Sequence, residues 1–314
     1  MNTVYIYHHN DHDGIVAAGI LYNHLKQLKE TYFDDLYENI VFEMIDYSKE
    51  LNFDHIDFDN WDKAYFLDYS FSNKHNIDEF EKLLKRRIES EDVVWIDHHK
   101  SSVGLLDEYN IPGVRKEGLC GAAWTYLYCN ELLEDWKETV EPEAYSTEFH
   151  KQNDIPLFVK LIDDYDCWKK IYATTNDFHY GLIVSHPTDT IIYNLLKSNS
   201  GIPDIISVGK QIQVFLNFDN MEYHVNMYGF EFTLPEEHGG YRCFCLNRKG
   251  NSLMFGNKVN EYDAVIPFYF NNGKWTYSIF TIKDNVDCLS VAKSYGGGGH
   301  PKAAGWTTNE FIFN

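Results

Sequence analysis

The apolar positions of the first hundred residues fall into short runs that end in acid or imidazole. "TVYIYHH" (3–9) sets β-branched and aromatic residues before a polar turn, the pattern of a short buried strand. From Gly14 to about Glu30 the spacing becomes helical. Ala18, Leu21, Tyr22, Leu25 and Leu28 share one side, and lysines lie towards the end. "NIVFEMID" (39–46), "KAYFLDYS" (63–70) and "DVVWIDHH" (92–99) predict three further strands. "IDEFEKLLKRRIE" (77–89) predicts an amphipathic helix and "LCGAAWTYLYCNELL" (119–133) another. "PLFVKLIDDYDCWK" (156–169) is an apolar run that closes in aspartates and fits either helix or strand.

Strands alternating with helices predict an α/β fold built on a mostly parallel sheet. In such sheets functional groups collect beyond the carboxyl ends of the strands. Here Asp11, Asp68 and Asp97 each follow or close a strand, and Asp164 closes the fourth apolar segment. The texture changes after about residue 180. Residues 201–227 read as a helical connector between a catalytic domain at 1–200 and a smaller α+β domain at 228–314, with a cleft expected between the two domains. In the tail, "YRCFCLN" (241–247), "DAVIPFYF" (263–270) and "WTYSIFTI" (275–282) are strand-like. A helical "VDCLSVAKSY" (286–295) then leads into "GGGGH" (296–300).

Charge narrows the partners. The 314 residues carry a net charge of −21, which argues against a wide basic groove for long duplex nucleic acid. A short anionic substrate stays compatible, because bound cations reverse the local field. No run of about 18 apolar residues occurs, so no membrane span or membrane partner is expected. The start of the chain lacks the pattern of a signal peptide, so the cytoplasm is the expected compartment. The six cysteines form no CxxC pair and read as reduced thiols. Oligomeric state is open, a homodimer included.

A two-metal phosphoryl-transfer site needs carboxylates and imidazoles around two cations ~4 Å apart. Asp11 and Asp13 suit it, because residues two apart in an extended turn project to one side. Each fragment also has a plain reading: a helix-capping turn for Asp11 and Asp13, a strand-end turn for Asp68, a solvated loop for "DDYD", a flexible loop for the glycines. Repetition at successive strand ends favours chemistry. His8 reads as a strand residue and His12 as an exposed turn residue. Mixed oxygen and imidazole donors favour Mn²⁺, with Mg²⁺, Co²⁺ or Zn²⁺ as substitutes.

In order along the chain, "HNDHDG" (9–14), "FLDYS" (66–70), "WIDHHKS" (95–101), "IDDYDCW" (162–168) and "GGGGHPKAAG" (296–305) resemble the motifs of the DHH phosphoesterases and of the glycine-rich domain that accompanies them, as in the nanoRNase members. The resemblance runs nearly end to end and implies roles. His9, Asp11 and Asp68 would hold one Mn²⁺. Asp13, Asp68, His98 and Asp164 would hold the other, with Asp163 and Asp166 as alternatives to Asp164. Asp97 would orient an imidazole, and His99 would face the phosphate. Gly297, Gly298, Gly299 and His300 would grip the substrate, with Arg248 and Ser252 as further contacts. The implied activity is Mn²⁺-dependent hydrolysis of short oligonucleotides or linear dinucleotides to 5′-mononucleotides. The alternatives are a phosphatase of 3′-phosphoadenosine 5′-phosphate or another small nucleotide, and a non-catalytic nucleotide-binding scaffold. One departure is "FTIKDNVD" (280–287), where several nanoRNases carry arginine and serine.

Overall fold

The computed structural model describes residues 2–32, 36–47, 49–71, 73–133, 142–185, 187, 189–225, 228–251 and 260–313. The chain divides into two compact units, Met1–Lys210 and Gln211–Asn314.

The first unit is built on five strands: β1 (Thr3–His9), β2 (Asn39–Ile45), β3 (Lys63–Leu67), β4 (Val93–Asp97) and β5 (Gly113–Arg115). They pair in the order β2-β1-β3-β4-β5, every pair parallel. Alternate residues feed opposite faces of this sheet. Val4, Ile6, Leu67, Val94 and Ile96 join one core with Trp124 and Phe158. Tyr7, Phe66, Val93 and Trp95 join the other with Phe71 and Phe80. Burial on both faces explains why the central strands read as near-continuous apolar runs.

Helices cover the sheet: α1 (His12–Thr31), α2 (Lys74–Arg86), α3 (Gly121–Cys129), α4 (Pro142–Lys151), α5 (Leu157–Asp166), α6 (Thr175–Ser185) and α7 (Asp189–Lys197). Asp11 caps α1, its side chain accepting from the Gly14 amide at 2.9 Å. The ambiguous run at 156–169 is therefore helical over α5, and that settles the direction of its aspartates. Helix α8 (Ile202–Val225) passes from the first unit into the second.

The second unit holds β6 (Gly229–Thr233), β7 (Arg242–Asn247), β8 (Ala264–Asn271), β9 (Lys274–Phe280), α9 (Cys288–Ser294), β10 (Gly298–His300) and β11 (Ala303–Thr308). Its sheet runs β10-β11-β9-β8-β7-β6, with β7 and β8 parallel and the other pairs antiparallel. Cys243, Cys245, Ile266, Tyr277, Val291 and Trp306 form its core. The glycine run differs from the loop expected of it. Gly298–His300 is an edge strand paired with Ala303–Gly305, and the Gly297 amide donates to the Ala292 carbonyl at 2.8 Å. No helix among the described residues is long and apolar enough to cross a membrane.

Candidate metal centre

Parallel pairing brings the carboxyl ends of β1, β3 and β4 to one edge, and the acids and imidazoles follow. His9 is the last residue of β1, and Asp11 and Asp13 sit in the turn and the first turn of α1. Asp68 follows β3 directly with φ +54°, a left-handed conformation unusual for aspartate. Its amide is tied to the Ile96 carbonyl at 2.8 Å. The neighbouring strand thus holds the strained residue in place, a pattern associated with functional sites.

Two groups of donors meet on Asp68. On one side lie His9 and Asp11, with His9 Nδ1 2.7 Å from Asp11 Oδ2 and 3.7 Å from Asp68 Oδ2. On the other side His98 Nε2 stands 3.2 Å from Asp68 Oδ1, 3.4 Å from Asp166 Oδ2 and 3.8 Å from Asp13 Oδ2. Both oxygens of Asp68 and Asp166 Oδ2 are buried without a hydrogen-bond partner. Buried polar atoms normally find one, and convergent orphans are what a bound cation satisfies. The donor set of carboxylates and imidazoles therefore fits divalent cations.

The electrostatics point the same way. Burial and the neighbouring Asp68 and Asp166 push the Asp13 carboxyl well above the usual range. Asp166 is raised to about 7 by burial, against the pull of His98. Asp68 goes the other way: burial opposes its charge, but His9 and His98 outweigh burial and hold it low. Burial would lower both His9 and His98. The carboxylates beside them prevail, raising His9 to about 10 and His98 well above its ordinary value. Such a cluster keeps protons that a pair of cations would replace.

The neighbours of these residues orient them. Asp97 is fully buried; its Oδ1 lies 2.8 Å from His99 Nδ1, and its Oδ2 accepts from Ser102 Oγ. Burial lowers the affinity of His99 for its proton, and Asp97 more than restores it. Asp13 accepts from the amides of Gly121 (2.6 Å) and Ala122 (2.7 Å) at the start of α3. That grip needs glycine, because a Cβ on residue 121 would stand 2.6 Å from the Asp68 Cβ. Gly121 escaped the sequence reading; the small-residue start "CGAA" of a buried helix was its signal. Tyr47 also escaped it. Its ring lies 5.2 Å from that of His9 and 6.4 Å from that of His99, and it is 41% exposed at the rim.

The fourth-motif ligand requires a correction. Asp164 does not join the cluster. Its carboxylate accepts from the Ile171 amide (2.7 Å), the Tyr172 amide (3.1 Å) and Thr175 Oγ1. Asp163 is likewise occupied, by the Cys120 amide and His150 Nε2, each at 2.8 Å, and by Lys169. Asp166 is the one beside His98. Two residues apart on a helix are turned by roughly 200°, so Asp164 and Asp166 face opposite ways. His12 is half-buried rather than exposed, with Nδ1 3.2 Å from His179 Nδ1. His8 is buried in β1. In the second unit Arg248 pairs with Asp219, Gly298–His300 is exposed at the sheet edge, and Ser252 lies outside the described residues.

The cluster that fits divalent cations lies at the carboxyl edge of a parallel α/β sheet. Residues 3–151 match the DHH family, N-terminal domain, a family of metal-dependent phosphoesterases. No curated protein matches the chain in sequence. Among solved structures it is similar to RecJ from Thermus thermophilus in complex with Mn²⁺, at 12% identity and TM-score 0.49. That alignment takes in 99% of this chain and 50% of RecJ, so the chain spans half the length of that protein. It is also similar to the pGpG-specific phosphodiesterase PggH from Vibrio cholerae, at 11% identity and TM-score 0.39 over 98% of this chain and 93% of that one. A third is an exopolyphosphatase-related protein from Bacteroides fragilis, at 14% identity and TM-score 0.39 over 100% and 88% of the two chains.

Proposed function

We propose that this protein is a Mn²⁺-dependent phosphodiesterase that hydrolyses short oligonucleotides, linear dinucleotides included, to 5′-mononucleotides. The observation that carries the reading is Asp68. Both its oxygens are buried without a hydrogen-bond partner, and each faces a separate group of donors. A carboxylate so placed is suited to bridging two cations.

In this reading His9, Asp11 and Asp68 would hold one ion, and Asp13, Asp68, His98 and Asp166 would hold the other. When bound, the ions lower the pKa of a coordinated water and offset charge developing on the phosphate. The rest falls to the chain. Asp13 stays aimed by the α3 amides, which leaves its oxygens further lone pairs for a cation. Asp97 fixes His99 through Nδ1, so Nε2 is the nitrogen that meets the phosphate or passes a proton to the leaving group. Tyr47 offers an aromatic face at the rim for a base. The net charge of −21 disfavours long polyanions and supports a substrate of few phosphates.

The test is incubation with 5′-labelled RNAs, from a dinucleotide to a twenty-mer, with and without Mn²⁺. Cleavage that depends on Mn²⁺, is fastest on the shortest chains and ends in 5′-mononucleotides is expected. Inert RNAs beside rapid hydrolysis of 3′-phosphoadenosine 5′-phosphate would replace this reading with the phosphatase one.

A further inference from the structure

The two donor groups that meet on Asp68 are not chemically alike. His9, Asp11 and Asp68 offer one imidazole nitrogen and two carboxylates. Beside the other group stands a sulfur. His98, Asp166 and Cys167 bring one ligand atom each to within 4.8 Å of one another. Asp166 ends α5 and Cys167 is its C-cap residue, so two consecutive side chains present donors where the helix stops. Of the six cysteines, all free, Cys167 alone is not buried. Its thiol contacts Asp163 Oδ1 at 3.8 Å, a long approach that a metal–sulfur bond would readily displace. Asp166 Oδ2, its neighbour, is one of the buried orphans.

We propose that Cys167 Sγ is a ligand of the second ion, together with His98 and Asp166, and that it makes this position selective for thiophilic cations such as Zn²⁺ and Co²⁺. The proposal rests on the two-cation reading above and deepens it. On binding, the Sγ–H bond breaks, its proton leaves to solvent, and the sulfur lone pair forms the bond to the cation. No oxidant or reductant is involved. The consequence is an asymmetric centre: an oxygen- and nitrogen-lined position that suits Mn²⁺, next to a nitrogen, oxygen and sulfur position that prefers softer ions. The preference of the second position for Zn²⁺ over Mn²⁺ should fall at least about tenfold in Cys167→Ser, because only the soft ion gains from sulfur.

Titration of the full chain with Co²⁺, followed by absorption spectroscopy, tests this. Wild-type protein should develop visible ligand-field bands and a near-ultraviolet thiolate-to-cobalt band. Cys167→Ser should keep the first and lose the second. Ligand-field bands without the thiolate band in wild type would overturn the sulfur ligand and leave the two-cation reading standing. A thiolate band that persists in Cys167→Ser would overturn it as well. Absence of any bound Co²⁺ would overturn both. X-ray absorption of the Zn²⁺-loaded wild type checks the same point without a variant. A sulfur scatterer at about 2.3 Å is expected, and a shell of nitrogen and oxygen alone would contradict it.

Discussion

The acid and histidine cluster of the first unit and the glycine run of the second were both conspicuous as motifs, and they differ in what a motif fixes. The cluster is positioned by topology. Once β1, β3 and β4 pair in parallel, His9, Asp68 and Asp97 have no choice but to share an edge. A glycine run fixes little, since glycine permits many backbone shapes and selects none. Here the last three residues of the run, Gly298–His300, form an edge strand that pairs with Ala303–Gly305. Side-chain chemistry at strand ends is therefore readable from sequence in a way that backbone freedom is not.

The largest effect that sharpens this contrast is expected at Asp68. Asp68→Ala should cut Mn²⁺-dependent turnover more than about a hundredfold, beyond the range set by residues that merely support ligands, while circular dichroism stays that of the native fold. Asp166→Asn and Asp164→Asn should then diverge in kind. Asp166→Asn relieves repulsion in an acidic cluster, so thermal stability should hold or rise while Mn²⁺ binding weakens. Asp164→Asn disturbs a carboxylate that accepts three hydrogen bonds, so stability should drop by about 1–3 kcal/mol with Mn²⁺ affinity kept. Equal metal affinities in the two variants would remove Asp166 from the site. Asp97→Asn, which leaves His99 without its carboxylate, should cost about 10–100-fold in turnover and, because Asp97 is fully buried, about 1–3 kcal/mol in stability.

Proton competition gives an effect of about tenfold per pH unit. Asp166 is raised to about 7, so below that pH it carries a proton that a cation must displace. Mn²⁺ affinity should rise with pH through about 7 and on towards about 10, where His9 also gives up its proton; a flat profile in calorimetry from acid to alkaline pH would contradict this. The smallest effect belongs to the second unit. A Cβ on residue 298 meets nothing within 4 Å, so Gly298→Ala should fold normally. If substrate approaches that backbone, KM should rise a few-fold with kcat unchanged, and an unaltered KM would take Gly298 out of the binding surface.

Much of the fold was legible in sequence because the period-2 and period-3.6 patterns were clear. The strand at 3–9 and the helices over 77–89 and 119–133 correspond to β1, α2 and α3, displaced by a few residues at the ends. The short strands β5 and β10 carry too few residues for a period to register. In the candidate cluster, His9, Asp11, Asp13, Asp68 and His98 were picked out because they follow strands in the chain. Asp166 stood only as an alternative to Asp164, because "DDYD" looks the same on an extended turn and on a helix, and the two conformations send its aspartates in different directions. Gly121 is marked only by the small-residue start "CGAA" and Tyr47 by nothing, and only the tertiary fold brings them to Asp68 and His9.

The most direct measurement of the central claim is electron paramagnetic resonance of the chain titrated with Mn²⁺. Two ions per chain with the spectrum of a coupled pair are expected, and the coupling should vanish in Asp68→Ala. Isolated, uncoupled Mn²⁺ at saturation, or a coupled pair that survives the loss of Asp68, would contradict the account.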